Sequence, residues 1–380
     1  MKKLRIAFIG QKGLPARYGG VETHVENIAT RLAAKGHEVW AYCRSRFMQV
    51  AAGGTSKEGL KKSGELSYQG VRLIFTPSIP TKHLDAASYT LLSAIDAAIR
   101  RRYDIIHLQG IGPSAFAPIP KWARRNVVST VHALDWRQEK WGRIASWTIK
   151  RGESVGARHS SGVIAVSHKL VSYLREAYGV AARYIPNGAT IKPLKAPDRI
   201  RQFGLNGNDY ILAVGRIIPD RRLHDLIEAF RYLDKSLKLV IVGSETPRTT
   251  YSSKLEAMAD ERVIFTGDQF GDVLDELYSN CRLYVLASSV EGLPITVCEA
   301  MAFKRCVLLS DIPENLEVGG DAAEYFKCLD INSLHEKLKQ LLEDEGSCTR
   351  LGERALQRVR DEYDWDHITE AIEAFYYEFL

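Results

Sequence analysis

The sequence contains no apolar run of the roughly 18–20 residues that a membrane-spanning helix requires. Its six cysteines, at positions 43, 281, 298, 306, 328 and 348, form no C-x-x-C pair. This spacing favours reduced core thiols in a cytoplasmic protein over a zinc site or a disulfide framework. Residues 1–10 are basic and then apolar, but the apolar part is too short for a signal peptide, so it predicts a buried first strand.

The chain also lacks the fingerprint of a dinucleotide-binding loop, which needs G-x-G-x-x-G and an acidic residue at the end of the second strand. Gly10 and Gly13 are wrongly spaced, and the second predicted strand ends in Cys43-Arg44. A nicotinamide enzyme is therefore not favoured. A nominal D-x-D occurs at residues 364–366, but it opens the last predicted helix, where helix capping explains it. The sequence predicts no essential metal.

Length and charge indicate two domains of unlike character. At 380 residues the chain is too long for one ordinary core and suits two domains of roughly 150–200 residues. Residues 1–190 carry 29 Lys and Arg against 12 Asp and Glu, a net charge of +17, whereas residues 191–380 carry −11. The basic half suits a polyanion or an anionic membrane surface.

A strand–helix–strand pattern occurs twice, about 205 residues apart. The first copy comprises Arg5–Ile9, Glu22–Lys35 and Glu38–Tyr42, and the second comprises Tyr210–Val214, Leu223–Leu233 and Leu237–Val242. Strands separated by helices predict parallel sheets with covered faces, and two such sheets with their ligand loops would face across a cleft. The proline-bearing segment 192–197 predicts a boundary between domains 1–192 and 193–365, followed by a terminal helix over 366–380. Residues 51–64 are rich in glycine, serine and lysine and predict a mobile loop.

Residues 288–302, with the sequence S-S-V-E-G-L-P-I-T-V-C-E-A-M-A, place Glu291 and Glu299 across a strand-to-helix turn. Residues 281–287 predict the preceding buried strand, and Pro294 suits the first helical position. The amides of that first turn would bind an anion. A phosphate between two carboxylates suggests a nucleotide-sugar, whose hydroxyls need acceptors at both ends. The alternative interpretation is a solvated helix with a charged cap.

A second motif, Y-I-L-A-V-G-R-I-I-P-D-R, occupies residues 210–221. Together the two motifs resemble those of retaining glycosyltransferases of family 4, which have the GT-B fold of two Rossmann-like domains. The resemblance assigns Glu291 to the donor sugar, Glu299 to the ribose hydroxyls, and Arg216 with Arg221 to the donor diphosphate. Arg221 stands where the family usually has lysine, and a guanidinium is not equivalent to an ammonium. The alternative for Arg216 is a surface salt bridge.

The glycine-bearing segment 13–23, with A-R-Y-G-G-V-E-T at its end, connects the first strand to its helix. Gly19 and Gly20 let the backbone approach a ligand closely. This segment resembles a subgroup of family 4 that includes bacterial rhamnosyltransferases. His132 matches the family's V-x-H position, which contacts the donor sugar. His107 is interpreted as a structural histidine, and Ser167 as a helix N-cap.

The resemblance implies a retaining transferase that moves a hexose or deoxyhexose from a nucleotide-sugar to a lipid-linked or other glycan acceptor. His132, Glu291, Arg216 and Arg221 are the implied catalytic residues. The implied donor-binding residues are Gly19, Gly20, Arg216, Arg221, Glu291, Gly292, Leu293, Pro294, Ile295, Thr296 and Glu299. No cofactor is expected, because the nucleotide-sugar is a substrate. A sugar-nucleotide epimerase of the same fold is the alternative; a nucleic-acid-binding module leaves both motifs unexplained, so no nucleic acid is expected as a partner.

Three segments of the N-terminal half are basic, at residues 100–102, 121–125 and 136–151, and the last two also contain tryptophans. Lysine and arginine attract anionic headgroups, and tryptophan prefers the membrane interface. These segments predict peripheral attachment to the inner face of the cytoplasmic membrane. The alternative is that the tryptophans at 122, 136, 141 and 147 are core residues and the arginines only increase solubility.

Overall fold

The structure, a computed structural model, describes residues 2–17, 19–45, 66–81, 84–100, 102–134, 136, 142–245 and 250–380. The expected mobile loop at 51–64 lies outside these residues. The chain forms two compact units, an N-terminal unit of Met1–Pro186 with Trp365–Leu380, and a C-terminal unit of Asn187–Asp364. The C-terminal unit begins six residues before the boundary expected at 192/193. Asn187 bonds to the carbonyl of Leu293 at 2.9 Å, and Ala189 forms a bridge with Asp364, which ties the linker to this unit.

The N-terminal unit is built on an eight-stranded sheet in the order β3-β4-β2-β1-β5-β6-β7-β8. Its strands are β1 (Arg5–Ile9), β2 (Glu38–Arg44), β3 (Ser67–Tyr68), β4 (Val71–Thr76), β5 (Ile105–Gln109), β6 (Asn126–Val131), β7 (Gly162–Ala165) and β8 (Arg183–Tyr184). Every pairing is parallel except that of β3 with β4, which is a tight antiparallel hairpin at the edge. The predicted all-parallel sheet is thus correct for seven strands.

Helices cover this sheet because its strands are apolar on both faces, as in β1, where Ile6 to Ile9 are fully buried. They are α1 (Gly20–Ala34), α2 (Leu84–Ile99), α3 (Ile111–Ser114), α4 (Pro118–Trp122), α5 (Arg143–His159), α6 (His168–Tyr178) and α14 (Trp365–Tyr377). The terminal helix α14 packs against α1 within this unit. No helix among the described residues is long and apolar enough to cross a bilayer.

The C-terminal unit has a six-stranded, wholly parallel sheet in the order β11-β10-β9-β12-β13-β14. Its strands are β9 (Tyr210–Val214), β10 (Lys238–Val242), β11 (Val263–Gly267), β12 (Leu283–Leu286), β13 (Val307–Ser310) and β14 (Glu324–Phe326). Its α-helices are α7 (Leu223–Phe230), α8 (Thr250–Met258), α9 (Gly271–Asn280), α10 (Ile295–Ala302), α11 (Pro313–Gly319), α12 (Ile331–Glu343) and α13 (Glu345–Glu362). Short 3₁₀ turns occupy Arg199–Phe203, Pro219–Arg221 and Gly320–Ala322.

The strand order of the C-terminal sheet reverses between β9 and β12, since β10 and β11 extend to one side and β13 and β14 to the other. In open parallel sheets, ligands bind at the carboxyl ends of the strands beside such a reversal. The loops that follow β9 and β12 carry the two sequence motifs. The fold therefore brings both motifs to the edge where a ligand is expected.

Candidate functional site

The loop after β9 turns sharply and approaches the neighbouring loop very closely. Gly215 has φ 151°, and its N–H donates to the carbonyl of Val242 at 2.9 Å. A Cβ at Gly243 would lie only 1.9 Å from the Gly215 oxygen, so the close approach of the two loops requires glycine at position 243. The turn leaves Arg216 exposed at the carboxyl edge of the sheet.

Arg221 and Arg222 have different partners, although they are adjacent in sequence. The Arg221 guanidinium forms an ion pair with Glu291 and lies 3.4 Å from the Ser288 hydroxyl. Arg222, in the left-handed region at φ 52°, donates twice to the Asp225 carboxylate, at 2.7 and 3.0 Å. Arg222 therefore holds the first turn of α7. The structure thus brings together two predicted site residues, Arg221 and Glu291.

A buried hydrogen-bond network fixes the loop that carries Glu291. The Ser310 hydroxyl donates to the Ser288 carbonyl at 2.5 Å, and the Asn315 amide donates to the Ser310 hydroxyl at 2.9 Å. The Ser289 N–H donates to the carbonyl of Asp220 at 2.9 Å, which joins this loop to the one after β9. These hydrogen bonds hold the loop that carries Glu291 in one arrangement and so preorganise the Arg221–Glu291 pair. The Asn315 amide oxygen itself is buried and has no hydrogen-bond partner among the described residues.

Helix α10 begins at Ile295, and Pro294 is its N-cap with φ −75° and ψ 109°. The prediction that Pro294 is the first helical residue is thus wrong by one position, because its extended ψ precedes the first helical turn. The Pro294 carbonyl accepts from Val297 at 3.1 Å and Cys298 at 3.4 Å. The preceding Leu293 is buried, and its carbonyl accepts from Asn187. The amino end of α10, at Ile295 and Thr296, carries the positive end of its helix dipole.

Glu299 lies on the second turn of α10, enclosed by the C-terminal unit. The Tyr278 hydroxyl donates to its carboxylate at 2.9 Å. Burial raises the pKa of Glu299 to about 7, an effect that the Tyr278 hydrogen bond and the charge of Lys192 oppose only in part. A carboxyl group with this pKa changes its charge near neutral pH, so its environment resembles that of a functional group.

Tyr284 connects the two carboxylates. Its hydroxyl donates to the Thr296 hydroxyl at 2.8 Å. Burial raises the pKa of Tyr284, with smaller contributions from the charges of Glu291 and Glu299, while Arg221 acts in the opposite direction. All three charged groups therefore lie near one buried phenol.

A shallow pocket opens at the reversal of the strand order in the C-terminal sheet. Its lining includes Gly215, Arg216, Arg221, Val242 and Leu286. The pocket therefore combines two guanidinium groups with an apolar floor. The two guanidinium groups suit contact with a phosphate group.

In the N-terminal unit, His132 follows β6 directly. One ring nitrogen, Nε2, shares a hydrogen bond of 2.9 Å with Oε1 of Gln109, and the His24 ring lies edge-on with centroids 4.7 Å apart. Burial lowers the pKa of His132 well below 6.5, and the nearby His24 and His107 lower it further. His132 is therefore neutral at physiological pH. The Gln109 amide nitrogen is buried and has no hydrogen-bond partner among the described residues.

His107 and Ser167 have the structural roles that the sequence predicts for them. Both ring nitrogens of the buried His107 are engaged, one with the Tyr376 hydroxyl at 2.6 Å and the other with the Thr130 hydroxyl at 2.7 Å. The Ser167 hydroxyl accepts from the Leu170 N–H at 3.4 Å and caps α6. Neither side chain is available to a ligand.

Gly19 and Gly20 lie at the start of α1. Gly19 is the N-cap with φ 142°, a conformation that favours glycine, and Gly20 is the first helical residue. The loop before them is fixed by Glu22, whose carboxylate accepts from the Lys12 N–H at 2.8 Å. The Glu22 carboxylate lies in the first turn of α1, where the positive end of the helix dipole favours a negative charge.

Four residues beside the predicted site were missed from the sequence. Asn187 lies in an I-P-N-G segment, which carries a signal, whereas Tyr278, Ser288 and Gln109 carry none, because their roles depend on contacts between distant strands. The described residues contain no group of three or more His, Cys, Asp or Glu that could hold a metal ion.

Two family models match the chain, and between them they cover most of it. Residues 18–192 match the model described as Glycosyltransferase Family 4. Residues 197–358 match the model described as Glycosyl transferases group 1.

Two of the curated relatives are similar to this chain over part of their length. The capsular polysaccharide biosynthesis glycosyltransferase CapM of Staphylococcus aureus is 26% identical over 182 residues, which are 46% of this chain and 48% of that protein. The N,N'-diacetylbacillosaminyl-diphospho-undecaprenol alpha-1,3-N-acetylgalactosaminyltransferase of Campylobacter jejuni is 27% identical over 159 residues, 41% of this chain and 42% of that protein. The aligned regions thus span about half or less of each relative.

Among solved structures, Anabaena Alr3699/HepE in complex with UDP-glucose is similar over nearly the whole length. Its TM-score is 0.78 at 18% identity, and the alignment covers 98% of this chain and 99% of that one. At this identity the similarity shows the fold alone. Taken with the two parallel-sheet units and the two family models, it places the chain in the family 4 type of glycosyltransferases with the GT-B fold.

Proposed function

We propose that this chain transfers a hexose or deoxyhexose from a nucleotide-sugar to a growing bacterial surface glycan, with retention of the anomeric configuration. The observation that carries the proposal is the pair of Arg221 and Glu291, held at the strand-order reversal with Arg216 beside it. The relative CapM, which acts in capsular polysaccharide biosynthesis, supports a glycan product. The UDP-glucose complex of Alr3699/HepE supports a nucleotide-sugar donor.

In this proposal the donor diphosphate lies between Arg216, Arg221 and the amino end of α10. A guanidinium has five N–H donors, so Arg221 can keep a hydrogen bond to Glu291 while it binds a phosphate oxygen. Arg221 thereby fulfils the role of the usual lysine and also positions Glu291. Glu291 accepts from a hydroxyl of the donor sugar, and Glu299 accepts from the ribose hydroxyls.

The reaction breaks the bond between the anomeric carbon and the phosphate oxygen. Charge develops on the leaving diphosphate, where Arg216, Arg221 and the helix dipole stabilise it. The acceptor hydroxyl attacks the same face of the sugar, and its proton passes to the departing phosphate oxygen. Glu291 and Glu299 occupy different ends of the donor, so they do not form the opposed carboxylate pair of a glycosidase.

The acceptor in this proposal is a glycan on a lipid carrier. The Campylobacter jejuni relative, whose name specifies a diphospho-undecaprenol acceptor, supports this choice. A transferase for such an acceptor works at a membrane surface, so we include attachment to the inner face of the cytoplasmic membrane. Rhamnose is one candidate sugar, from the resemblance of residues 13–23, and His132, Gly19 and Gly20 remain predicted contacts of the donor.

The first experiment is a thermal-shift screen over UDP-, dTDP- and GDP-sugars, because a bound donor stabilises the folded state by mass action. We expect one nucleotide class to raise Tm in the wild-type protein and much less in the Arg216→Ala variant. Equal shifts in both proteins would place the donor elsewhere.

The second experiment measures transfer of radiolabelled sugar to a lipid-linked acceptor, with the anomeric configuration of the product read by NMR. We expect turnover only when the acceptor is present, and a product with the donor's configuration. A changed sugar nucleotide formed without acceptor would indicate the epimerase alternative. An inverted product would contradict the retaining mechanism.

A further inference from the structure

Helices α2, α4 and α5 form one layer on one face of the N-terminal sheet. α2 connects β4 to β5, α4 connects β5 to β6, and α5 connects β6 to β7, so all three connections move in the same direction across the sheet. Because such connections are right-handed, the three helices lie on the same face. α2 packs against α4, and α4 packs against α5. The Arg125 guanidinium, just after α4, reaches the Ala98 carbonyl of α2 at 3.4 Å.

The outer side of α2 is mostly apolar. Its inner side is buried through Tyr89, Ala94 and Ala97. The exposed apolar side chains of this helix are Leu84, Leu91, Leu92, Ile95 and Ile99. From Leu91 to Ile99 they recur at helical spacing and make one stripe, and Ile99 at its end is 74% exposed. Ser88 lies between this stripe and Leu84.

Two tryptophans extend this apolar surface onto the neighbouring helices. Trp122, the last residue of α4, is 80% exposed, and Trp147 on α5 is 60% exposed. Trp136 differs, because its indole N–H donates to the buried Glu153 carboxylate at 3.1 Å. Trp141 lies outside the described residues. The prediction of interfacial tryptophans thus applies to Trp122 and Trp147.

Among the described residues of α2, α4 and α5, the exposed charged side chains are all positive. The carboxylates of α2 and α5 are Asp85, Asp96 and Glu153. Asp85 and Glu153 are buried and hydrogen-bonded. Asp96 is half-buried, accepts from the Tyr42 hydroxyl and pairs with Arg100. The α4 segment has no carboxylate. The exposed basic residues on and beside the helices are Arg100, Arg102, Lys121, Arg124, Lys150, Arg151 and Arg158.

We propose that the outer face of this layer docks onto an anionic lipid bilayer, with the α2 stripe and Trp122 in the interface and the basic side chains on the headgroups. We call it the docking face; it comprises the exposed apolar and basic side chains named above. An apolar stripe bordered by basic residues is typical of helices that lie in a membrane surface. A second copy of the chain is disfavoured, because a two-fold contact would place this basic face against itself.

The proposal rests on the proposed function only for the reason why the protein would attach to a membrane. Its test measures vesicle binding and does not use catalysis. Full-length protein is floated with vesicles of phosphatidylcholine and 30% phosphatidylglycerol, and with vesicles of phosphatidylcholine alone. We expect the protein to float with the anionic vesicles at low ionic strength and to be released in high salt. No flotation with anionic vesicles at low ionic strength, or equal binding to both compositions, would overturn the proposal.

Variants test whether vesicle binding depends on the docking face or is non-specific adhesion. The Leu92→Ser/Ile95→Ser/Ile99→Ser variant is expected to bind at least tenfold less, while the matched control Tyr232→Ser/Leu329→Ser, exposed in the C-terminal unit, binds as the wild type. Lys150→Glu/Arg151→Glu is also expected to lose binding, with Lys327→Glu as its control. Unchanged binding in the stripe variant contradicts the proposal.

A spectroscopic measurement covers the case in which the stripe variant fails to fold. Brominated lipids in the anionic vesicles should quench tryptophan fluorescence of the wild type, and Trp122→Phe should remove part of this quenching. Unquenched fluorescence would overturn the proposal. Dimers that the wild type forms without vesicles and the stripe variant does not form would also overturn it. The stripe variant should bind nucleotide-sugars as the wild type does, measured by thermal shift. This measurement distinguishes a failure of docking from a failure of the proposed function.

Discussion

Glu291 and Glu299 have different surroundings, and this difference predicts different kinetic effects. Glu291 is paired with Arg221 at the reacting end of the proposed donor, so Glu291→Gln should lower kcat through weaker hydrogen bonds to the sugar. Glu299 lies farther along α10 with Tyr278, so Glu299→Ala should mainly raise the donor KM. Steady-state kinetics of both variants provide the measurement. Near wild-type kinetics in both would remove the basis of the proposed donor site.

The enclosed carboxyl group of Glu299 also predicts a pH dependence of stability. The pKa of this carboxyl group is about 7 in the folded protein, above its ordinary value of 4.5. Its contribution to the free energy of unfolding is therefore fully present below pH 4.5 and is lost as the pH rises through 7. The amide of the Glu299→Gln variant does not titrate. The free energy of unfolding of this variant minus that of the wild type should therefore rise from pH 5 to pH 8, by about 2–3 kcal/mol at most. Calorimetric Tm values at both pH values test this.

Glu336→Gln, which makes the same substitution at an exposed position of the C-terminal unit, serves as the control in that comparison. A constant Tm difference between wild type and Glu299→Gln from pH 5 to pH 8 would contradict the raised pKa. In the same pH range we expect the donor KM of the wild type to fall as pH rises, since the ionised carboxylate is the stronger acceptor for ribose hydroxyls.

The three arginines of the loop after β9 should differ in their importance. Arg216→Ala is expected to lose more activity than a change at Arg221 or Arg222, with each phosphate contact contributing about 2–4 kcal/mol to the transition state. Arg222 is engaged by Asp225, so Arg222→Ala should lower Tm more than kcat. Relative kcat/KM and Tm of the three variants, with the exposed Arg350→Ala as control, check this order. Equal, small effects would make the loop a solvated basic segment.

At the residue scale, the sequence indicates which side chains matter but not which partner each one has. The motifs identify Arg216, Arg221 and Glu291, but they do not show that Arg221 pairs with Glu291 while the adjacent Arg222 pairs with Asp225. The difference arises because Arg222 takes the left-handed conformation at φ 52°, which directs it to Asp225. The contact of Tyr278 with Glu299 joins α9 to α10, and no local pattern encodes it.

At the scale of elements, the close approach of two loops depends on one glycine. Gly243→Ala would place a Cβ 1.9 Å from the Gly215 oxygen and displace the loop that carries Arg216. We expect it to lower Tm and abolish the thermal shift caused by nucleotide-sugars. Gly267→Ala is the matched control, since Gly267 also has positive φ but has no atom within 4 Å of an added Cβ. Its cost is backbone strain of about 1–2 kcal/mol. Similar behaviour of the two variants would contradict the steric argument.

Element positions follow from the sequence where one periodic pattern decides them. β9 spans Tyr210–Val214 as predicted, because an apolar run is ended by Gly215. Helix ends are less well predicted: α7 ends at Phe230, three residues before the predicted end. The exposed stripe of α2 could not be predicted, because its sequence is apolar on most sides. Only packing shows which side faces the sheet.

At the scale of the whole molecule, the charge asymmetry has a structural counterpart. The positive excess of the first 190 residues includes the exposed basic side chains of α4 and α5, whereas carboxylates of the second half include Glu291 and Glu299. The sequence predicts the doubled α/β architecture, since each half repeats the same pattern. The hairpin of β3 and β4 is missed, because a two-residue strand has no periodicity.

The two proposed surfaces belong to different units, so two ligands should protect different segments of the intact chain from hydrogen exchange. A nucleotide-sugar should slow exchange at residues 215–222 and 291–299, because binding there suppresses local opening. Anionic vesicles should slow exchange in residues 84–100 and 118–125 and leave the segments of the C-terminal unit unchanged. Mass spectrometry of the exchanging protein with each ligand alone gives both patterns. If vesicles protect only 215–222 and 291–299, their headgroups act as phosphate mimics in the donor site, and the docking face has no role in attachment.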